Sequence, residues 1–188
     1  MAALTVTKNL GDLKVLFNQI KEVYLFKDIN KAPSALTAAD MELPIISDGV
    51  SFNTGQPDVT KVKLTTKETW TSMADAGDSD ISFQVGTFAD EVSKLFLNQI
   101  GAEATMGSSI DGATYKGFGF SLEPKKVSCG LLLCSQDKQV AIFLPNVEIF
   151  ASVVVEQGKP GYFDLVCTPL ESTDGIAIYF LKKGSEAA

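Results

Sequence analysis

The 188-residue chain has no histidine and no arginine; every basic residue is a lysine. Without histidine the commonest general acid/base and metal ligand is missing, and a Ser–His–Asp arrangement is impossible. Without arginine there is no planar fork for carboxylates, phosphates or guanine edges. The formal net charge of −7 opposes gripping nucleic acid, because counterion release needs a dense basic patch. Lys125–Lys126 and Lys182–Lys183 are the only adjacent basic pairs. Long apolar runs are also missing. The longest, such as 127–134 and 150–155, are far too short to cross a bilayer. The first residues show no basic segment followed by an apolar stretch, so synthesis in the cytoplasm is expected. Cysteine is scarce: Cys129, Cys134 and Cys167. An odd count without a secretory signal points to free, buried thiols. Cys129 and Cys134 are an odd number of residues apart, so within one strand they face opposite sides and cannot pair. A zinc site lacks its ligands.

What is present is apolar residue in quantity, 45% of the chain, enough for one domain with a substantial core. A single domain over 1–188 is expected. Residues 21–26 read as a first strand from their β-branched and aromatic content. Residues 10–20 fit a short helix or a strand equally. Residues 28–48, with Pro33 and Pro44, read as a long irregular connection, of the kind that serves as an arm or a flexible loop. A short strand follows at 50–54.

The clearest β signal lies in 59–73. Val62, Leu64, Thr66, Glu68 and Trp70 share one face of an extended segment. Lys61, Lys63, Thr65, Lys67, Thr69 and Thr71 share the other. Asp75-Ala-Gly-Asp78 is a turn cluster, and Ile81, Phe83 and Val85 alternate with polar residues beyond it. The expectation is one long hairpin over 59–87. Its edges invite further strands. Thr87 with Asp90 resembles a capping box, opening an amphipathic helix of about three turns that stops at Gly101. Phe88, Val92, Leu95, Phe96 and Gln99 carry its periodicity.

From about residue 110 the pattern is strand and turn. Expected strands are 115–122, broken by Gly117 and Gly119, then 127–135 and 139–144. A break or bulge at Pro145-Asn146 precedes 147–155, followed by 162–168 and 176–181. Short strands at regular spacing predict a mainly β fold: an antiparallel β-sandwich or barrel with one flanking α-helix and a long β-hairpin.

Catalytic templates fail on named residues. Gly112 and Gly117 have phosphate-loop spacing, but Phe118 stands where lysine is required. Gly117 and Gly119 lack the third glycine of a dinucleotide fingerprint; Leu122 is there instead. Asp75, Asp78 and Asp80 suggest calcium or a carboxylate pair, but the ligand offsets fit poorly and a solvated hairpin tip accounts for them. Trp70 could stack on a base or sugar; its place on an apolar strand face favours packing. The lysines at 61, 63 and 67 could meet a phosphate backbone or an acidic partner, or simply form a solvated face. No enzyme, cofactor or metal is expected.

One stretch carries a resemblance. Gly49-Val-Ser-Phe-Asn-Thr-Gly-Gln-Pro-Asp-Val-Thr60 runs into a Thr/Lys strand ending Glu68-Thr-Trp-Thr-Ser72. Gly77-Asp-Ser-Asp-Ile-Ser82 and the helix follow. The whole, over roughly 50–182, resembles a major tail tube protein of a long-tailed bacteriophage. The family shares its fold with the tube of the bacterial type VI secretion machine. The resemblance implies a β-sandwich or barrel that forms hexameric rings, stacked into a hollow tube through which DNA passes into the host without specific binding. Partners would be other copies of the chain and other tail proteins, with no membrane, and the location would be the virion. It implies an assembly or lumen hairpin comprising Lys61, Val62, Lys63, Leu64, Lys67, Trp70, Ile81, Phe83 and Val85. Residues 28–48 would be the arm that contacts a neighbour. The alternative is a non-catalytic β-sandwich adaptor, decoration or secretion-tube protein. A third class, a hydrolase using only carboxylates, would need a cleft with two convergent carboxylates.

Overall fold

A computed structural model describes residues 15–46, 50–63, 65–75, 77, 79–108 and 112–184, apart from the side chain of Trp70. Among these residues, twelve strands and one α-helix follow in chain order, with one short 3-10 turn at Pro33–Ala35. They are β1 (Ile20–Phe26), β2 (Met41–Leu43), β3 (Ser51–Asn53), β4 (Asp58–Lys63), β5 (Thr69–Asp75), β6 (Asp80–Val85), α1 (Asp90–Phe96), β7 (Gln99–Thr105), β8 (Lys116–Phe120), β9 (Val127–Ser135), β10 (Val140–Val154), β11 (Tyr162–Pro169) and β12 (Tyr179–Lys182). The fold is mainly β with one helix and antiparallel sheets.

Eight strands form one sheet in the order β2-β1-β9-β10-β11-β6-β3, with β12 beside the first part of β10. The sheet closes on itself. Just past β2, Ile45 stands opposite Val85 of β6, flanked by bonds from Ile46 N–H to the Gln84 carbonyl (2.8 Å) and Gly86 N–H to the Pro44 carbonyl (2.9 Å). Closure removes the exposed edges that an open sheet of these strands would present.

Period-2 alternation fills the barrel. Val23 and Leu25 point inward, as do Ile81, Phe83 and Val85, then Leu131 and Leu133, then Phe163 and Leu165. On β10 the inward set changes from even to odd numbers: Ile142 and Leu144, then Val147 and Ile149. The register shift at Pro145-Asn146 causes this. One extra residue in a β-bulge restores the inward face, so a 15-residue strand can stay apolar inside along most of its length. The expected bulge is therefore present, and it joins the two expected strands into one.

Helix α1 covers one end of the barrel. Val92 and Phe96 are buried, and Phe96 stacks at a tilt on Phe163, 6.0 Å between centroids. Phe88 meets Phe163 edge-on at 5.2 Å and lies so close to Gly161 that a Cβ there would sit 2.7 Å from its ring. Lys125 Nζ donates to the carbonyls of Lys94 (2.6 Å) and Leu97 (3.3 Å), placing a cation on the helix C-terminus.

Several expectations are corrected. The helix spans only Asp90–Phe96, and its N-cap is Ala89. Thr87 Oγ1 instead accepts from Ala89 N–H (3.2 Å), a local turn that competes with capping. The helix does not run to Gly101, because Gln99 already begins β7. Residues 28–46 do not form a free arm. Asn30 N–H bonds the Pro145 carbonyl (2.9 Å), Asp40 N–H bonds the Leu25 carbonyl (3.0 Å), and β2 pairs with β1. The segment lies over a small apolar cluster on the outside of the wall, where Phe26 meets Phe143 edge-on at 5.9 Å. Much of 10–20 and all of 47–48 lie outside the described residues.

Candidate assembly surfaces

The expected hairpin over 59–87 is two structures. β4 pairs with β5, Asp58 opposite Asp75 and Val62 opposite Thr71, as a separate two-stranded ribbon. The chain reverses within 65–68, and Lys67 has a positive φ of 67°. The segment 59–73 is thus a hairpin in itself, and its alternation does not run through one long strand. β6 belongs to the barrel wall, between β11 and β3.

This division decides the predicted assembly residues. Lys61, Val62 and Lys63 lie on β4 and are exposed, as is Lys67 in the turn. Trp70 lies on β5. Leu64 falls outside the described residues. Ile81, Phe83 and Val85 are core: their exposures are 1%, 0% and 0%. They hold the barrel together and present nothing to a partner. The single extended strand that would have carried both Val62 and Trp70 does not form, since the chain reverses between them and puts them on different strands.

A second ribbon went unforeseen. β7 and β8 pair from Gln99 opposite Phe120 to Thr105 opposite Lys116, with a register shift between Ile100 and Ala104. Every residue of β7 is exposed. Its base is tied down: Lys94 Nζ sits 3.6 Å above the Phe118 ring, and Ser121 N–H bonds the Asn98 carbonyl (2.8 Å). One face holds a shallow hollow of about 360 Å³, lined by Ala104, Met106, Tyr115, Gly117 and Gly119 among others. The available signal was the pair of glycines in 115–122, which marks a strand approached closely by something else.

The two ribbons leave opposite ends of the barrel. β6 and β10 run one way, β9 and β11 the other. The C-terminal end of β6 and the N-terminal end of β9 therefore share one end, and α1 with β7–β8 is inserted there. β3 runs antiparallel to β6, with Asn53 opposite Asp80, so β4–β5 is inserted at the other end.

Ionic chemistry on the wall is structural. Glu22 accepts from Lys138 Nζ (2.8 Å) and the Tyr24 hydroxyl (2.9 Å). Those hydrogen bonds hold its carboxyl below the usual range, and they raise both Lys138 and Tyr24. Cys129 is pushed up to about 12 by burial, and Cys167 is raised for the same reason; Cys134, half-buried, is raised by desolvation and by Glu22. All three are free thiols held neutral. Asp75 and Asp80 are exposed and lie on different sheets; Asp78 is outside the described residues. Among the described residues no group of three or more His, Cys, Asp or Glu side chains is placed to hold a metal ion. Among them, too, no helix is long and apolar enough to cross a membrane.

Neither a protein-family model nor a curated protein matches this chain.

Proposed function

We propose that the protein is a structural virion protein that polymerises as stacked rings into a hollow phage tail tube. The observation that carries this reading is a closed, well-filled barrel bearing an unpartnered two-stranded ribbon at each end. A lone two-stranded ribbon is marginal in water, so two of them at opposite ends suit a subunit that meets copies above and below. Contacts between unlike ends repeat without limit unless a rotation closes them. The hexameric ring and the passage of DNA come from the resemblance of 50–182 to tail tube proteins. The charge supports passage: an acidic, arginine-free protein is ill suited to trap a polyanion. The test is negative-stain microscopy of the purified protein, with size measured across a wide concentration range. Rings or tubes are expected. A strict monomer at every concentration, also after seeding with tail components, overturns the reading.

A further inference from the structure

We infer that strand β12 of one copy adds to the open edge of β10, at 150–154, in the next copy. This contact rests on the stacking reading above and specifies how the unlike ends meet.

Closing the barrel does not use every strand edge. β9 stands beside β10 only as far as Val127, opposite Ile149, whereas β11 stays with β10 to Val154. Among the described residues, 150–154 therefore has a neighbour on the β11 side alone. β12 has β10 as its single partner among them, on the side of β10 that β11 takes further along. Each open edge leaves backbone N–H and C=O groups free to take a further strand.

Exposed apolar side chains accompany both edges. Val153 stands opposite Phe163, whose ring carries Phe88, and Phe88 and Val155 both crowd Gly161. Val153, Val155 and Phe88 remain 50%, 73% and 46% exposed. On β12, Phe180 is 67% exposed although it stands opposite Ile142, a core residue.

Direction brings the two edges together between copies and not within one. β10 runs toward the α1 end, so 150–154 lies there, while β12, opposite the first residues of β10, lies at the other end. The edges also face opposite ways across the sheet. Two copies in the same orientation meet edge to edge when one is displaced from the level of Ile142 to that of Val153, roughly 36 Å at the rise of an extended strand. β12 runs antiparallel to β10, so the new pair is antiparallel too. Such a contact joins unlike ends, and it propagates.

Parity sets the register. Ile149 and Ala151 face the core, and Val153 continues their face. Phe180 shares a face with Ile142. Setting Phe180 opposite Val153 keeps the inner faces of both copies on one side and gathers Phe180 with Val155 and Phe88. It also places Leu181 opposite Ser152, diagonal to Phe150 and Val154 on the outer face. A slip of one residue loses the match of Phe180 with Val153.

The test uses the full chain with Ser152→Cys and Lys182→Cys variants and a short bismaleimide, with wild type as the control for the native thiols. Both positions are exposed, and within one chain they lie at opposite ends of the barrel. Mixing the two single variants gives a crosslinked dimer, and the double variant gives a ladder. Each single variant alone stays at the wild-type level. Adding Phe180→Glu lowers the mixed yield about tenfold, while circular dichroism is unchanged. Dimers from either single variant alone mean that like edges meet, and overturn the proposal. An undiminished yield with Phe180→Glu overturns it as well. Tubes that form normally without the mixed crosslink overturn this contact and leave the tube reading standing. A chain that neither assembles nor crosslinks overturns both.

Discussion

Strands β4 and β6 are both six residues long, but β6 spaces its apolar residues by two, Ile81-Ser-Phe-Gln-Val85, while β4 sets its valines three apart, Val59-Thr-Lys-Val62-Lys63, on opposite faces. β6 has β11 on one side and β3 with Ile45 on the other, and its three apolar side chains vanish into the barrel. β4 has a partner on one side only, and all six of its residues are exposed. The difference lies in whether the apolar side chains share a face, and in how many there are. Ile, Phe and Val bury enough surface to hold a strand in a wall. Two valines set among lysines and threonines do not. A common apolar face therefore decides whether a strand's own domain can use it.

The largest effect expected from this contrast is on folding. Phe83→Ala leaves a cavity in the barrel and should cost about 3–5 kcal/mol, enough to threaten the fold. Val62→Ala on the ribbon should change stability by under about 0.5 kcal/mol. Urea denaturation of both variants checks the pair. Equal losses would mean that the ribbon is part of the cooperative core.

A sharper separation comes from breaking the ribbon backbone. Thr71→Pro removes the donor at the position opposite Val62 and clashes with the extended pairing. The barrel should keep its stability to within about 0.5 kcal/mol, since no described side chain of β5 belongs to the core. Ring or tube formation, followed by microscopy and sedimentation, should be lost. Normal tubes from a folded Thr71→Pro protein would remove the ribbon from assembly.

The smallest effect separates charges of the wall from those of the ribbon. Glu22 is held low by Lys138 and Tyr24, so its contribution is fully present above the ordinary carboxyl value, about 4.3. That contribution is lost as pH falls through the lower folded value. Glu22→Gln should flatten the acid side of the stability curve and leave assembly at neutral pH unchanged. Denaturation midpoints measured from pH 7 downward show it. An unaltered acid limb would mean that the Lys138 pair adds nothing to the fold.

How far each part was legible follows from where its determinants lie. β9 at 127–135 and β11 near 162–168 were readable because long apolar alternation leaves few other ways to hide the side chains. The bulge at Pro145-Asn146 was readable because proline cannot donate into a ladder. The helix was overextended because Gln99 fits the helical period, yet Lys125 on the last carbonyls closes the helix at Phe96. The hairpin was misassigned because its true turn, 65–68, carries no glycine or proline, while Asp75-Ala-Gly-Asp78 advertises one. β7 was missed because Gln-Ile-Gly-Ala-Glu-Ala-Thr has little β propensity, and only its pairing with β8 makes it a strand.

By itself the sequence determined the β class, the neutral buried state expected of Cys129 and Cys167, and the poverty of residues suited to acid/base chemistry. These depend on residue type and on periodicity, which are local. Tertiary structure alone decided that the sheet closes at Ile45 and Val85, that 28–46 folds onto its own wall, and that the two ribbons leave by opposite ends. Those are matters of pairing between distant segments. They are selected by the free energy of the whole barrel, in which every strand needs a neighbour and no short stretch of chain names which one.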